Sequence, residues 1–119
     1  MREREIAVAT PDGAMPTFVT HPDEGGPHPA AIIFMDALGI REELRDMARR
    51  LGTAGYYVML PNLFYRWGGP SFDAADLATK GPDPAMLRLN QSLTHAMCLD
   101  DTRALLDVAA ADPAAREPA

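Results

Sequence analysis

Two apolar runs separated by a stretch of helical periodicity form the strongest pattern in the chain. Residues 30–35 (AAIIFM) and 56–60 (YYVML) are apolar at consecutive positions, with no alternation between faces. Continuous runs of this kind are typical of strands in a parallel sheet that helices cover on both sides. We therefore predict a central strand at residues 30–35 and a second buried strand at residues 56–60, which Pro61 ends.

The segment between the two runs, residues 41–54, is predicted to be an amphipathic helix. Glu42 and Glu43 near its start suit the helix dipole, and Gly55 is a natural stop at its end. Together with the two strands it forms a βαβ unit over residues 30–60, so the fold class is α/β. The apolar positions of the helix are Leu44, Met47, Ala48, Leu51 and Ala54.

The residues before this unit are predicted to form a hairpin and a loop. Residues 5–21 contain two short strand-like segments around the turn sequence Pro11-Asp12-Gly13. Residues 22–29 (PDEGGPHP) are rich in proline and glycine, which predicts a surface loop with a solvated His28.

The residues after the unit divide into an excursion and a helical segment. Residues 61–82 carry several glycines and prolines and cannot be assigned to a regular element. Asp83 and Pro84 are an N-cap and a first helical residue, and they open a helical segment at residues 84–111. The closing residues 115–119 (AREPA) are expected to be a connector. We expect residues 1–119 to form a single partial domain.

Composition and charge exclude several classes of function. The net charge is -6 and the only lysine is Lys80, so no basic surface predicts nucleic-acid binding. The charged N-terminus lacks the apolar run of a signal peptide, and residues 30–35 are far too short to span a membrane. A single cysteine, Cys98, excludes an internal disulfide. We expect a soluble, cytoplasmic protein without a cofactor.

The loop after the first apolar run carries the first candidate chemistry. Asp36 follows the predicted central strand, where open α/β sheets bind ligands, and it could orient or activate a nucleophile from a later element. Amides at positions 36–39 could stabilise an oxyanion. The alternatives are that Asp36 caps nearby amides and that Gly39 eases an ordinary helix start.

The loop after the second run combines aromatic side chains with a guanidinium. Residues 62–67 (NLFYRW) could hold a small organic anion, or Phe64 and Trp67 could close the core while Arg66 pairs with an acid. His95 and Cys98 share a helix face, but neither follows a strand, so a Cys-His catalytic pair is rejected.

Motifs for other chemistries do not occur in the sequence. There is no G-x-G-x-x-G or G-K-[ST] for a nucleotide, and no H-E-x-x-H or EF-hand loop for a metal. Neither G-x-S-x-G nor G-x-C-x-G is present, so the chain lacks a nucleophile elbow.

Residues 34–66, FMDALGIREELRDMARRLGTAGYYVMLPNLFYR, resemble the N-terminal half of the dienelactone hydrolase family, within the α/β-hydrolase fold. This resemblance rests on a combination of features. They are the first strand, the acid followed by x-x-Gly, the RDMARRL helix, the G-Y strand and the segment PNLFYR. It implies a three-layer α/β/α sandwich, truncated here before the nucleophile-elbow strand. The implied activity is hydrolysis of a carboxylic ester or lactone by a Cys or Ser nucleophile, assisted by His and Asp.

The resemblance also implies roles for individual residues. Asp36 falls where the family's name-giving enzyme has a glutamate that interacts with the nucleophile, and aspartate is one methylene shorter. Ala37, and with it Leu38, falls in the loop whose backbone supplies an oxyanion-hole amide. Tyr65 and Arg66 lie in a loop that borders the substrate pocket. Arg88 is the nearby candidate for the arginine that binds the dienelactone carboxylate.

The same resemblance places the nucleophile strand after the last helix, beyond Ala119. We therefore expect an N-terminal fragment of a longer enzyme that is inactive by itself, with its C-terminal half as the missing partner. Residues 30–35 would then form an apolar open edge of the sheet. The alternative is a non-catalytic interaction module that pairs, or self-associates, through that edge. A flavodoxin-like binding domain would need a phosphate loop after the first strand, and none is seen.

Overall fold

A five-stranded mixed sheet forms the centre of the fold. The computed structural model describes residues 1–35, 39–72, 74–81 and 83–116. The strands lie in the order β1-β2-β4-β3-β5, with antiparallel pairing from β1 to β4 and parallel pairing of β3 with both neighbours. Their bounds are β1 Arg2–Thr10, β2 Gly13–His21, β3 His28–Ile32, β4 Tyr57–Pro61 and β5 Ala115–Arg116.

The β4 strand is buried on both faces because helices cover both sides of the sheet. Tyr57 and Met59 belong to one apolar cluster, while Val58 and Leu60 belong to a second cluster on the opposite face. This alternation explains the unbroken apolar run in the sequence. The helices are α1 Glu42–Thr53, α2 Ala74–Lys80, α3 Pro84–Ser92 and α4 His95–Ala111.

Helix α1 covers one face of the sheet through Leu44 and Ala48, as the periodicity predicts. Met47, which the same pattern assigns to the apolar face, is instead 51% exposed. The prediction for Met47 is wrong because the buried line of the helix runs through Gly52, where a Cβ would lie 2.8 Å from Met1 Cε. A glycine in that line lets the helix approach the hairpin closely and turns Met47 outward.

Helix α4 covers the other face, where Leu105 and Ala109 join the cluster that contains Tyr57 and Met59. The predicted helical segment at residues 84–111 is divided between α3 and α4 at Leu93 and Thr94. The Thr94 hydroxyl accepts a hydrogen bond from the Met97 amide at 3.2 Å, so a new N-cap starts the second helix. The excursion at residues 61–82 contains a 3₁₀ turn, Tyr65–Trp67, and α2.

The first apolar run differs from its prediction. Strand β3 begins at His28 and ends at Ile32, its residues are only half-buried, and Phe34 is 51% exposed. The reason is that β3 has one full neighbour, β4, while β5 pairs with it only at His28 and Pro29. The expectation of a solvated His28 is wrong, because His28 begins β3 and pairs with Ala115. The expected connector is wrong at residues 115 and 116, which form β5, and its remaining residues 117–119 lie outside the described residues.

In the described part of the chain, each helix is too short or too polar to cross a lipid bilayer.

Candidate active site

The loops that leave β3 and β4 meet at the carboxyl edge of the sheet. The Ile33 amide donates to the Met59 carbonyl at 2.9 Å, which extends the parallel pairing one residue beyond β3. The Leu63 amide then donates to Met35 Sδ at 3.4 Å. The two segments thus run side by side into the region where ligands bind in open α/β sheets.

The predicted steering acid and oxyanion loop, Asp36, Ala37 and Leu38, lie outside the described residues, so their roles stay predictions. The description resumes at Gly39, which has a left-handed φ of +85°. A Cβ on Gly39 would lie 2.6 Å from the Pro70 carbonyl oxygen and 3.2 Å from Ser71 Cα. Glycine is therefore needed both for the backbone conformation and for close packing of the two loops.

Asn62 holds the second loop in shape. Its Oδ1 accepts from the Phe64 amide at 3.1 Å, and its Nδ2 donates to the Gly69 carbonyl at 3.2 Å. The Gly69 amide donates in turn to the Phe64 carbonyl at 2.9 Å. The loop is closed on itself and presents a fixed surface to Gly39.

Arg66 and Asp101 form a buried, two-pronged ion pair that ties this loop to α4. Nη1 and Nη2 of Arg66 each donate to one Asp101 oxygen at 3.0 Å, and the Tyr65 hydroxyl donates to the same carboxylate at 2.8 Å. Asp101 is fully buried, and the Arg66 side chain is 9% exposed. Arg66 Nε donates to Asp12 of the hairpin turn at 2.7 Å. Three chain segments are joined through one guanidinium.

The surroundings of this network raise the pKa of Tyr65 and that of Arg66. Burial raises the pKa of Tyr65, and the Asp101 carboxylate raises it further against an opposing hydrogen bond from Thr10. Burial alone would lower the pKa of Arg66, but Asp101 and Asp12 outweigh it and raise that pKa. Arg66 therefore stays charged and Tyr65 stays protonated at neutral pH.

The structure gives different settings to the three predicted substrate-binding residues. Tyr65 and Arg66 are engaged with Asp101, which is the pairing with an acid that the alternative interpretation expected. Phe64 is fully buried, whereas Trp67 is 36% exposed. Arg88 is exposed on α3. The role of these residues in substrate binding stays a prediction.

An apolar cavity of about 360 Å³ lies where β3 ends and α4 begins, lined by Phe34, His95, Cys98, Leu99 and Thr102. Cys98 is half-buried, and burial together with the Asp101 charge raises the pKa of its thiol. A raised pKa disfavours the reactive thiolate. Among the described residues, no group of three or more metal-ligating side chains could hold an ion.

Sequence reasoning missed Asp101, the acid on which the loop depends. Its position offered a clue, because Asp101 follows Met97 and precedes Leu105 at four-residue spacing on the buried face of α4. An acid at an apolar position of a helix indicates a buried cationic partner. The partner itself, 35 residues earlier in the chain, has no local signature.

Comparison with known proteins identifies the family. The model of the dienelactone hydrolase family matches residues 15–117, and the chain belongs to this family. A crystal structure from Klebsiella pneumoniae, provisionally named a dienelactone hydrolase, superposes with a TM-score of 0.78 at 25% identity. This superposition covers 94% of the chain and 45% of the Klebsiella protein. The predicted α/β-hydrolase fold is thereby confirmed.

Two curated relatives are similar in sequence over a shorter stretch. A Methylorubrum extorquens protein, provisionally named a carboxymethylenebutenolidase, is 34% identical over 67 residues, which are 56% of this chain and 23% of the relative. An Escherichia coli K12 protein with the same provisional name is 38% identical over 66 residues, or 55% of this chain and 24% of the relative. The matched part is about a quarter of the length of these relatives.

Proposed function

We propose that this chain is the N-terminal part of a dienelactone-hydrolase-like enzyme that hydrolyses carboxylic esters or lactones. The observation that carries the proposal is the parallel pairing of β5 with β3, in the register His28 with Ala115 and Pro29 with Arg116. Strand β5 follows α4 in the chain and runs parallel to β3, so its direction points toward the candidate site. In the family that the chain resembles, the nucleophile elbow ends this strand.

The proposed chemistry is acyl transfer through a Cys or Ser beyond residue 119. The nucleophile attacks the ester carbonyl carbon, and the carbonyl π electrons move to the oxygen. Amides of Ala37 and Leu38 stabilise that oxyanion, while Asp36 orients the nucleophile. The histidine takes the proton of the nucleophile during this attack and gives it to the alkoxide, which leaves as the oxyanion re-forms the carbonyl and the C–O bond breaks. Water then gives a proton to the histidine and attacks the acyl-enzyme carbonyl, and the acid leaves as the nucleophile regains that proton. The packing of Gly39 on Pro70 supports a firm wall for this step.

A neutral ester is the favoured substrate class over a carboxylate-bearing lactone. Tyr65 and Arg66 border the pocket in this proposal, but the Arg66 guanidinium is bound to Asp12 and Asp101. A charged pair of this kind has little capacity left for a further carboxylate. Arg88 is then the cation that a substrate anion could meet.

The test is a chimera that joins residues 1–116 to the part of the Escherichia coli relative that follows its equivalent strand. We expect the chimera to hydrolyse p-nitrophenyl acetate and to lose that activity when the grafted nucleophile is changed to alanine. The 119-residue chain alone should show no turnover, with or without Cys98→Ala. A folded chimera without activity, or turnover by the chain alone that Cys98→Ala removes, would contradict the proposal.

A second candidate is a non-catalytic module that self-associates through the open side of β3. The exposed apolar side chains Phe34 and Leu99, at 51% and 59% exposure, favour it. The module would be supported if the chain formed a soluble homodimer at micromolar concentration and the chimera with the grafted C-terminal half were also a dimer. The cytoplasmic location expected from the sequence stays a prediction under either candidate.

A further inference from the structure

The thioether of Met35 lies at the point where the two candidate active-site loops begin. Met35 comes three residues after the end of β3 and directly before Asp36. Its Sδ accepts a hydrogen bond from the Leu63 amide at 3.4 Å. Because Leu63 comes two residues after the end of β4, one sulfur atom joins the chain that leaves β3 to the chain that leaves β4.

The Leu63 amide donates to sulfur, whereas the amides on either side of it donate to oxygen. The Asn62 amide donates to the Pro16 carbonyl at 2.8 Å, and the Phe64 amide donates to Asn62 Oδ1 at 3.1 Å. Leu63 is 3% exposed, so water has little access to its amide. A thioether is a weak acceptor, and a buried amide that loses its acceptor is costly. The contact between the loops therefore depends on the chemical state of the Met35 sulfur.

Met35 packs on apolar neighbours but keeps some exposed surface. It contacts the apolar clusters on both faces of the sheet, and it is half-buried. Met15 and Met59 have no exposed surface, while Met47 is 51% exposed on α1. A small reagent can thus reach Met35 without unfolding the chain, which is not so for Met15 and Met59.

We propose that Met35 is a site of oxidation by hydrogen peroxide and that its sulfoxide uncouples the two loops. The Sδ lone pair that does not face the Leu63 amide attacks one peroxide oxygen. An S–O bond forms and the O–O bond breaks, and the departing hydroxide takes the proton of the transferred oxygen and leaves as water. The thioether is oxidised by two electrons to the sulfoxide, and the peroxide is reduced.

Oxidation removes the acceptor from the Leu63 amide. The sulfoxide sulfur carries a partial positive charge that repels an N–H, and the polar S–O bond is added beside two apolar clusters. The amide regains a partner only by moving to the new oxygen, so the contact at the sulfur is lost in either case. Methionine sulfoxide reductases reverse the oxidation. An effect on ester hydrolysis rests on the proposed function, but the change at Leu63 does not.

The test is amide exchange of the ¹⁵N-labelled 119-residue chain before and after peroxide, with peptide mapping of the sulfoxide at each methionine. Peroxide is added until Met47 is oxidised while Met15 and Met59 remain thioethers, which shows that the fold stays closed. Under these conditions Met35 should be oxidised, and the Leu63 amide should exchange at least about tenfold faster, as expected for one lost hydrogen bond. The Val19 amide, inside β2, is the internal reference and should keep its rate.

Two variants separate the Met35 site from general oxidation. Leucine has no acceptor, so Met35→Leu should exchange fast at Leu63 from the start and should not change further with peroxide. Met47→Leu is the matched control and should respond as the parent chain does. The proposal would be overturned if Met35 stayed a thioether while Met47 was oxidised. Oxidation of Met35 that left the Leu63 exchange rate unchanged would overturn it as well.

The chimera separates this inference from the proposed function. An active chimera should lose a larger fraction of its esterase activity to peroxide than its Met35→Leu variant, because oxidation of the grafted nucleophile is common to both. Equal losses would contradict an effect of Met35 on the site. A chimera without esterase activity would contradict the proposed function, while exchange at Leu63 in the 119-residue chain would still decide the role of Met35.

Discussion

Arg66 donates two parallel hydrogen bonds of 3.0 Å to Asp101, and the Asp101 carboxylate is fully buried. Burying two charges is costly, and the cost is offset only while both partners are present. The Tyr65 hydroxyl at 2.8 Å and Asp12 at 2.7 Å satisfy further donors and acceptors of the pair. The loop after β4 therefore depends on an acid in α4 for its position.

Asp101→Asn should lower the free energy of unfolding by about 3 kcal/mol, because it leaves the Arg66 charge buried without its carboxylate. Urea unfolding followed by circular dichroism measures the change. Asp100→Asn, one residue earlier and exposed, is the matched control and should stay within about 0.5 kcal/mol of the parent. Equal effects of the two substitutions would show that the buried pair does not stabilise the fold.

Gly39→Ala should destabilise the fold more than Gly68→Ala does. Both glycines have a left-handed φ, +85° and +86°, so both substitutions carry a similar backbone strain of roughly 1 kcal/mol or more. A Cβ at Gly68 meets nothing within 4 Å, whereas one at Gly39 would lie 2.6 Å from the Pro70 carbonyl oxygen. The difference between the two unfolding free energies, about 1 kcal/mol or more, measures the contact between the loops. A difference near zero would mean that these loops do not pack.

Tyr57 should make stability depend on alkaline pH. Burial, followed by the hydrogen bond to Asp112, raises the pKa of Tyr57 to about 12, against about 10 in an unfolded chain. The folded state therefore holds this proton more tightly. Its contribution, on the order of 2 kcal/mol, is fully present below about pH 10 and is lost as the pH rises toward about 12.

The measurement is the difference in unfolding free energy between the parent chain and Tyr57→Phe as a function of pH. It should be constant at neutral pH and should fall above about pH 10. Tyr56→Phe, at a neighbouring and 38% exposed position, is the control. The same alkaline fall in the Tyr57→Phe variant would exclude this hydroxyl as its source.

The 119-residue chain should self-associate through the apolar surface beside β3. Leu99→Lys introduces a charge next to Phe34 in that surface, so it should lower the associated fraction in sedimentation velocity experiments. Leu87→Lys, on α3 and 46% exposed, should leave the fraction unchanged. Equal behaviour of the two variants would locate the association elsewhere.

The pattern of hydrophobic residues along the chain predicts the elements whose formation depends on neighbouring residues. The sequence predicts helix α1 because Leu44 and Ala48 repeat at its period, and β4 because residues 57–60 form an apolar run, which is buried. Tyr56, the first residue of the predicted run, lies outside β4 and is 38% exposed. Met47 was assigned incorrectly because the exact rotation of the helix depends on Gly52 against the hairpin. The contact between Gly52 and the hairpin cannot be predicted from the periodicity of the sequence.

The features that the sequence did not predict depend on residues far apart in the chain. Strand β3 is shorter and less buried than its composition suggested, since burial depends on its neighbour β5. The pairing of Arg66 with Asp101 spans 35 positions. Partner choice of this kind is a tertiary property.

The one-sided pairing of β3 has a consequence for amide exchange. Residues 30–32 pair with β4, whereas β4 is bound by β2 on one side and β3 on the other. Opening β4 disrupts two ladders, but opening β3 along these residues disrupts one, so its amides should exchange with deuterium faster. The chain that leaves β3 toward the candidate site is thus anchored by one ladder at residues 30–32, whereas the chain that leaves β4 is anchored by two.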